Sequence, residues 1–134
     1  MPLLEQQVSC PRGAVCFGSY DILSGFDYLP VAEESRRFFV IVTSYGCYEM
    51  CGSPQGWVNT PQLCQDRMVS KVLNPLDLFC RPETGVIQWV DDPLLHSSSF
   101  EDCLEALSRL LDRLIEKRLR LNISKCEFLG RRME

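Results

Sequence analysis

Val86-Ile87-Gln88-Trp89-Val90-Asp91-Asp92-Pro93-Leu94-Leu95 is the stretch that decides the fold of this 134-residue chain. β-branched and aromatic residues dominate its first five positions, so Val86 to Val90 reads as a strand. Two acids and a proline follow, then a second apolar pair, which puts Asp91 and Asp92 at a bend between two short strands. Adjacent carboxylates repel, and a fold that keeps them together at a strand end is relieved by a cation there. An ordinary polar turn explains the same residues, since Asp and Pro both favour turns.

Downstream of the bend, Ser97-Ser98-Ser99 opens the clearest helix. Phe100, Cys103, Leu104, Leu107, Leu110, Leu111, Leu114 and Ile115 follow the spacing of one buried face, and Ser98 with Glu101 fits a capping box. Charges fill the opposite face, including Glu105 and Arg109 at i,i+4 spacing. This stripe is core packing and carries no chemistry. A last strand is expected over Leu119 to Ile123. Arg118, Arg120, Lys125, Arg131 and Arg132 make the C-terminal end locally basic, either as a nucleic-acid edge or as a solvated surface.

Upstream, Leu76 to Cys80 is expected to pair with Val86 to Val90 through Arg81-Pro82-Glu83-Thr84-Gly85. Thr60 as N-cap and Pro61 at the first helical position start a helix that runs to about Leu73, with Cys64, Met68 and Val72 on one face. Before it lies the loop Gly52-Ser53-Pro54-Gln55-Gly56-Trp57-Val58-Asn59. Such a loop can cradle a phosphate or a base through backbone N–H groups, although plain loop chemistry accounts for it equally. Phe38 to Thr43 and Cys47 to Met50 read as a hairpin preceded by Arg36 and Arg37, a basic edge. Nearer the N-terminus, Leu3 to Val8 reads as a short helix and Ala14 to Phe17 as a strand approach. Asp21, in Tyr20-Asp21-Ile22-Leu23-Ser24-Gly25-Phe26, has apolar neighbours and a Ser-Gly turn behind it. An acid in that setting needs a partner or a cation, unless it simply caps the turn.

The composition narrows the class. With 46% apolar residues the chain has the material for one domain with a core. No apolar run approaches the roughly 20 residues that span a bilayer, and the N-terminus does not resemble a signal peptide. A soluble intracellular protein, cytoplasmic or nuclear and without membrane contact, is the expectation. Eight scattered cysteines without a Cys-x-x-Cys pair, beside the single His96, argue against zinc and for reduced thiols. The net charge of −4 gives no general attraction to nucleic acid. Strand with Asp21, hairpin, helix, strands flanking Asp91-Asp92, long helix and strand together make an α+β layer. Its antiparallel sheet is of split βαβ type with helices on one face, and it brings Asp21 beside Asp91.

Five segments occur in one order: Asp21-Ile22-Leu23-Ser24-Gly25-Phe26, Pro30 to Arg36, Pro54-Gln55-Gly56-Trp57-Val58-Asn59, Trp89-Val90-Asp91-Asp92, and Leu119 to Phe128. Together they resemble the palm of a reverse transcriptase from a gypsy-type LTR retrotransposon, over about residues 1 to 130. The resemblance implies a polymerase palm with a fingers-like β hairpin, residues 1–134 forming one partial domain. Most of the fingers, with the thumb, connection and RNase H regions, is expected to lie outside it.

The same resemblance implies an RNA-directed DNA polymerase. Asp21 matches the first catalytic aspartate, and Asp91 and Asp92 match the pair in a Tyr-x-Asp-Asp-like motif, with Trp89 replacing the tyrosine. These three imply two Mg²⁺ (or Mn²⁺) ions that bridge carboxylates, triphosphate and primer 3′-hydroxyl. Phe26 matches an aromatic that excludes a ribose 2′-hydroxyl; Gln55 and Gly56 match the loop at the incoming nucleotide. Lys125 matches a basic residue near the primer, with Arg118 and Arg120 on the same edge. The partners implied are an RNA or DNA template-primer, deoxynucleoside triphosphates and the remaining domains of a polyprotein. Two departures stand out: Pro93 removes a backbone donor after the acidic pair, and Leu63-Cys64-Gln65-Asp66 replaces Ala-Thr-Phe-Gln. Weak or no activity of the chain alone is expected. A degenerate palm fold serving as a non-catalytic protein- or nucleic-acid-binding module is the alternative.

Overall fold

The computed structural model describes residues 9–131, so the helix expected over Leu3 to Val8 lies outside the described residues. The strands are β1 (Cys16–Ser19), β2 (Val40–Thr43), β3 (Gly46–Glu49), β4 (Thr84–Trp89), β5 (Asp92–Ser97) and β6 (Glu127–Gly130). The α-helices are α1 (Glu33–Arg36), α2 (Thr60–Met68) and α3 (Phe100–Glu116). Four strands form an antiparallel sheet in the order β4-β5-β1-β6, while β2 and β3 make a separate hairpin. With α2 between β1 and β4 and α3 between β5 and β6, the fold is the expected α+β palm of split βαβ type.

The core follows from side-chain alternation on the strands. Cys16, Tyr20, Val86 and Leu95 turn to one face of the sheet, where Leu107, Leu110 and Leu114 of α3 cover them. Met68, Val72 and Leu73 close the same core from α2 and the turn behind it. Each fully buried leucine contributes roughly 1.5–3 kcal/mol. The helices therefore lie on one face, as the sequence predicts. The eight cysteines are thiols and form no disulfide among the described residues. His96 is fully buried on β5, and burial pushes its imidazole down, towards the neutral form.

Several local expectations are corrected. The helix α2 is α-helical only to Met68 and continues through a π turn at Val69–Leu73, with Asn59 rather than Thr60 at its N-cap. Thr60 is buried because its hydroxyl meets that of Ser53 at 2.7 Å. Leu76 to Cys80 is no strand. Positive φ at Asp77 and Cys80 breaks the extension, leaving a single parallel bridge from Phe79 to Val86. The helix α3 is capped by Ser99, whose Oγ accepts the Asp102 N–H, so Ser98 and Glu101 form no capping box. Phe100, Leu104 and Ile115 are exposed, whereas Ala106 joins the buried face. Arg109 donates to the Leu76 carbonyl. The strand expected over Leu119 to Ile123 shrinks to one bridge, Ile22 to Leu121, followed by a 3₁₀ turn at Ile123–Lys125. The last strand begins only at Glu127.

Glycine is required at position 18, where β1 passes under a ring. Tyr20 donates its hydroxyl to the Phe128 carbonyl at 2.8 Å, and the two rings meet edge to face at 5.7 Å. A Cβ on Gly18 would collide with that hydroxyl and come within 2.5 Å of the Phe128 carbonyl. Gly18→Ala is therefore expected to loosen β6 and to cost about 1–3 kcal/mol, measured by urea unfolding.

Candidate active site

The site forms where β1 runs out and the β4–β5 hairpin turns. Val90 and Asp91 make a two-residue loop closed by the Trp89–Asp92 pair. Val90 has φ 56, a left-handed value that is strained for a β-branched residue. Only Val90 of the two loop residues has positive φ, the pattern of the turns that suit twisted hairpins. Gln88 and Pro93 are the next pair outward. By the alternation of antiparallel ladders this is a non-hydrogen-bonded pair, so Pro93 takes no donor from the hairpin. It faces β1, where its carbonyl accepts the Tyr20 N–H at 3.0 Å. The donor loss expected at Pro93 is thus moved off the acidic turn.

Asp21 is fixed by backbone on both flanks. Ile22 donates its N–H to the Asp91 carbonyl at 3.4 Å, Leu23 donates to the Arg120 carbonyl at 2.8 Å, and the Asp21 carbonyl accepts the Asn122 N–H at 2.9 Å. These bonds draw two acidic segments, 70 positions apart in sequence, to one end of the sheet. Lys125 Nζ lies 3.5 Å from Asp21 Oδ2. Desolvation first, then the charges of Asp91 and Asp21, push the Asp92 carboxyl up, and Lys125 partly offsets them. Asp21, Asp91, Asp92 and Lys125 are thus one electrostatic group. Among the described residues no three His, Cys, Asp or Glu side chains converge as a ready-made cation site. The donor set is nevertheless of the kind a hard divalent cation takes, carboxylate oxygens with an excess of negative charge.

Gly25 seats the acidic turn, since a Cβ there would meet Asp91 Cβ at 3.1 Å. Cys64 of α2 lies beside it, and burial followed by the Asp91 charge raises its thiol to about 11, so it is neutral. Phe26, next to Gly25, is half-buried in the 3₁₀ turn Gly25–Tyr28. Gln55 and Gly56 occupy an exposed turn, Gly56 with φ 90. Their loop is stitched to the segment after Phe26: Ser53 donates to the Leu29 carbonyl at 2.9 Å, and Gly52 bridges Pro30. Arg118, Arg120 and Lys125 are all exposed. Arg36, in contrast, donates to the Val31 carbonyl, and Arg37 stacks over Phe38.

Residues 2–133 match the family described as "Reverse transcriptase (RNA-dependent DNA polymerase)". The chain belongs to the reverse transcriptase family. It is 30% identical over 114 residues to the retrovirus-related Pol polyprotein from transposon 297 of Drosophila melanogaster, covering 84% of this chain and 10% of that protein. It is 25% identical over 128 residues to the transposon Tf2-3 polyprotein of Schizosaccharomyces pombe (96% and 9%), and 27% identical over 137 residues to the enzymatic polyprotein of figwort mosaic virus (97% and 20%). The chain therefore spans about a tenth of the transposon polyproteins and a fifth of the viral one. A foamy viral protease-reverse transcriptase in complex with RNA/DNA hybrid superposes with a TM-score of 0.76 at 18% identity, over 90% of this chain and 15% of that one. A form in complex with double-stranded DNA gives 0.77 at 19%, over 90% and 20%. At these identities the superpositions establish the fold.

Two buried residues of this reverse transcriptase domain are given no role by the motifs: Gln65 and Gln88. Gln65 Nε2 donates to the Gln88 carbonyl at 3.1 Å, and Gln88 Nε2 donates to the Val90 carbonyl at 3.0 Å. The one available signal is a glutamine inside an apolar strand run immediately before an acidic turn.

Raising the Asp92 carboxyl above its ordinary value means that the folded chain holds its proton to higher pH than the unfolded chain. Stability then falls as pH rises through that window, above the ordinary carboxylate range. Asp92→Asn should stabilise the domain at pH 7 by under about 1 kcal/mol, because solvent screens an exposed acid. The gain should vanish below about pH 4, as read from Tm against pH.

Proposed function

We propose that this chain is the palm module of an RNA-directed DNA polymerase from a gypsy-type LTR retrotransposon, residues 1–134 forming one domain within a larger intracellular polyprotein. The observation that carries the reading is the junction of Asp21 with Asp91 and Asp92, held by the Ile22 N–H to Asp91 carbonyl bond. The reaction joins a primer 3′-hydroxyl to the α-phosphorus of a deoxynucleoside triphosphate and releases pyrophosphate.

Asp21, Asp91 and Asp92 would hold two Mg²⁺ or Mn²⁺ ions. Such ions supply positive charge that favours ionisation of the primer hydroxyl and offsets charge on the triphosphate. The protein's own groups do the rest. Phe26 closes the floor beside Gly25 and excludes a ribose 2′-hydroxyl. Gln55 and Gly56 present a turn with open backbone to the incoming nucleotide and the templating base. Arg118, Arg120 and Lys125 line the edge along which the phosphates of an RNA or DNA template-primer run, which makes binding salt-dependent. Lys125, 3.5 Å from Asp21, would give up that contact when the carboxylate holds a cation.

A second reading, a non-catalytic binding module, draws on the apolar surface of the β2–β3 hairpin, where Val42 is 77% and Tyr45 91% exposed. Primer extension separates the two. The chain, joined to the flanking polymerase regions of a transposon polyprotein, should extend a primer with Mg²⁺ or Mn²⁺. Asp91→Asn should lower the rate at least 10²-fold without loss of primer binding, an effect of the size seen when a charge-stabilising group is removed. Extension at the same rate in Asp91→Asn contradicts the polymerase reading and leaves the binding module.

A further inference from the structure

We propose that Gln88 is a positioning residue for the acidic turn, its side-chain amide clamping the Val90 carbonyl so that the Asp91 carboxylate faces Asp21. The inference rests on the polymerase reading for its purpose, and on hydrogen bonds for its substance.

Two peptide groups flank the Asp91 Cα, and their planes set where its side chain points. The C-terminal one is held by the Ile22 N–H, which donates to the Asp91 carbonyl. The N-terminal one carries the Val90 carbonyl, and Gln88 Nε2 reaches it at 3.0 Å across two residues. Without that bond the turn would depend on Val90 itself, and φ 56 is a conformation that valine resists. The clamp thus opposes the relaxation that would swing Asp91 away. On the third side Gly25 packs close to the turn, where an added Cβ would come 3.1 Å from Asp91 Cβ.

Gln88 is an expensive residue to place there. It is fully buried, and among the described residues its Oε1 has no hydrogen-bond partner. A methionine or leucine would fill the same space without stranding a buried acceptor. The donor is the only part of the side chain that gains from the position. Because Val90 presents an acceptor, the amide orientation is fixed with Nε2 towards the turn. Gln65, also buried, extends the clamp by donating to the Gln88 carbonyl, which ties the outer edge of β4 to α2. A chain of two amides therefore runs from helix to edge strand to acidic turn.

The test uses the isotope-labelled chain, its Gln88→Met variant, and NMR. In the wild type one Gln88 side-chain amide proton should exchange with water at least 10-fold more slowly than those of the exposed Gln55. In Gln88→Met the backbone amides of Val90, Asp91 and Asp92 should exchange at least 10-fold faster, while those of α3 are unchanged. Titration with MnCl₂ alone should weaken about 10-fold in the variant. A Gln88 side-chain amide exchanging as freely as that of Gln55 overturns the proposal, even if the variant fails to fold. So does unchanged exchange at the turn in a folded variant. If Mn²⁺ binds neither chain, the metal reading of the site fails, while the two exchange measurements still decide the clamp.

Discussion

The whole site depends on one short-range constraint, the N–H of Ile22 donating to the carbonyl of Asp91. On its other side the same extended segment is held by the Arg120 carbonyl and the Asn122 N–H. Residues 21–23 are therefore threaded between the hairpin turn and the chain after α3. Asp21 has no freedom to leave the acidic pair without breaking backbone bonds on both sides. A side-chain contact would be a weaker tether, because rotamers relax and backbone ladders do not.

This constraint forces like charges together, and the surroundings manage the cost. Lys125 stands 3.5 Å from Asp21 on the exposed side, and Asp92 responds with a carboxyl that holds its proton more tightly. Their buried neighbours in sequence and space are neutral, the Cys64 thiol, Tyr20 and Pro93. Negative charge thus accumulates on the solvent side, where a phosphate-bound divalent ion would arrive. The strain at Val90 belongs to the same arrangement. The tight two-residue loop holds Asp91 inside the turn and Asp92 in its closing pair, and a non-glycine residue in a left-handed conformation is the type of outlier that clusters at functional sites.

Much of this was legible in the residues. The β-branched run ending in Asp91-Asp92-Pro93 marked the turn, and the leucine period marked α3, because both signals come from burial on a fixed repeat. The buried Leu107, Leu110 and Leu114 stripe of α3 followed from the same logic. The approach of Asp21 to Asp91 was not legible from periodicity, which is silent on contacts between distant segments; the expected split βαβ sheet suggested it, and the order of motifs agreed. The misread segments share one cause. Leu76 to Cys80 and Leu119 to Ile123 are apolar enough for strands, yet positive φ at Asp77, Cys80 and Arg118 diverts the chain into turns. The Gln65–Gln88 link escaped for the opposite reason, since a buried glutamine breaks the pattern that identifies a core.

The central claim is that Asp21 and Asp91-Asp92 form a single cation site. Paramagnetic broadening by substoichiometric Mn²⁺ tests it most directly, with the amide resonances of the chain as reporters. A shared ion predicts that the signals of Asp21, Ile22, Asp91 and Asp92 fade together at one Mn²⁺ concentration, ahead of those of Asp77, Asp102 and Glu105 on the far side. Broadening confined to one of the two segments, or spread evenly over exposed acids, would contradict it.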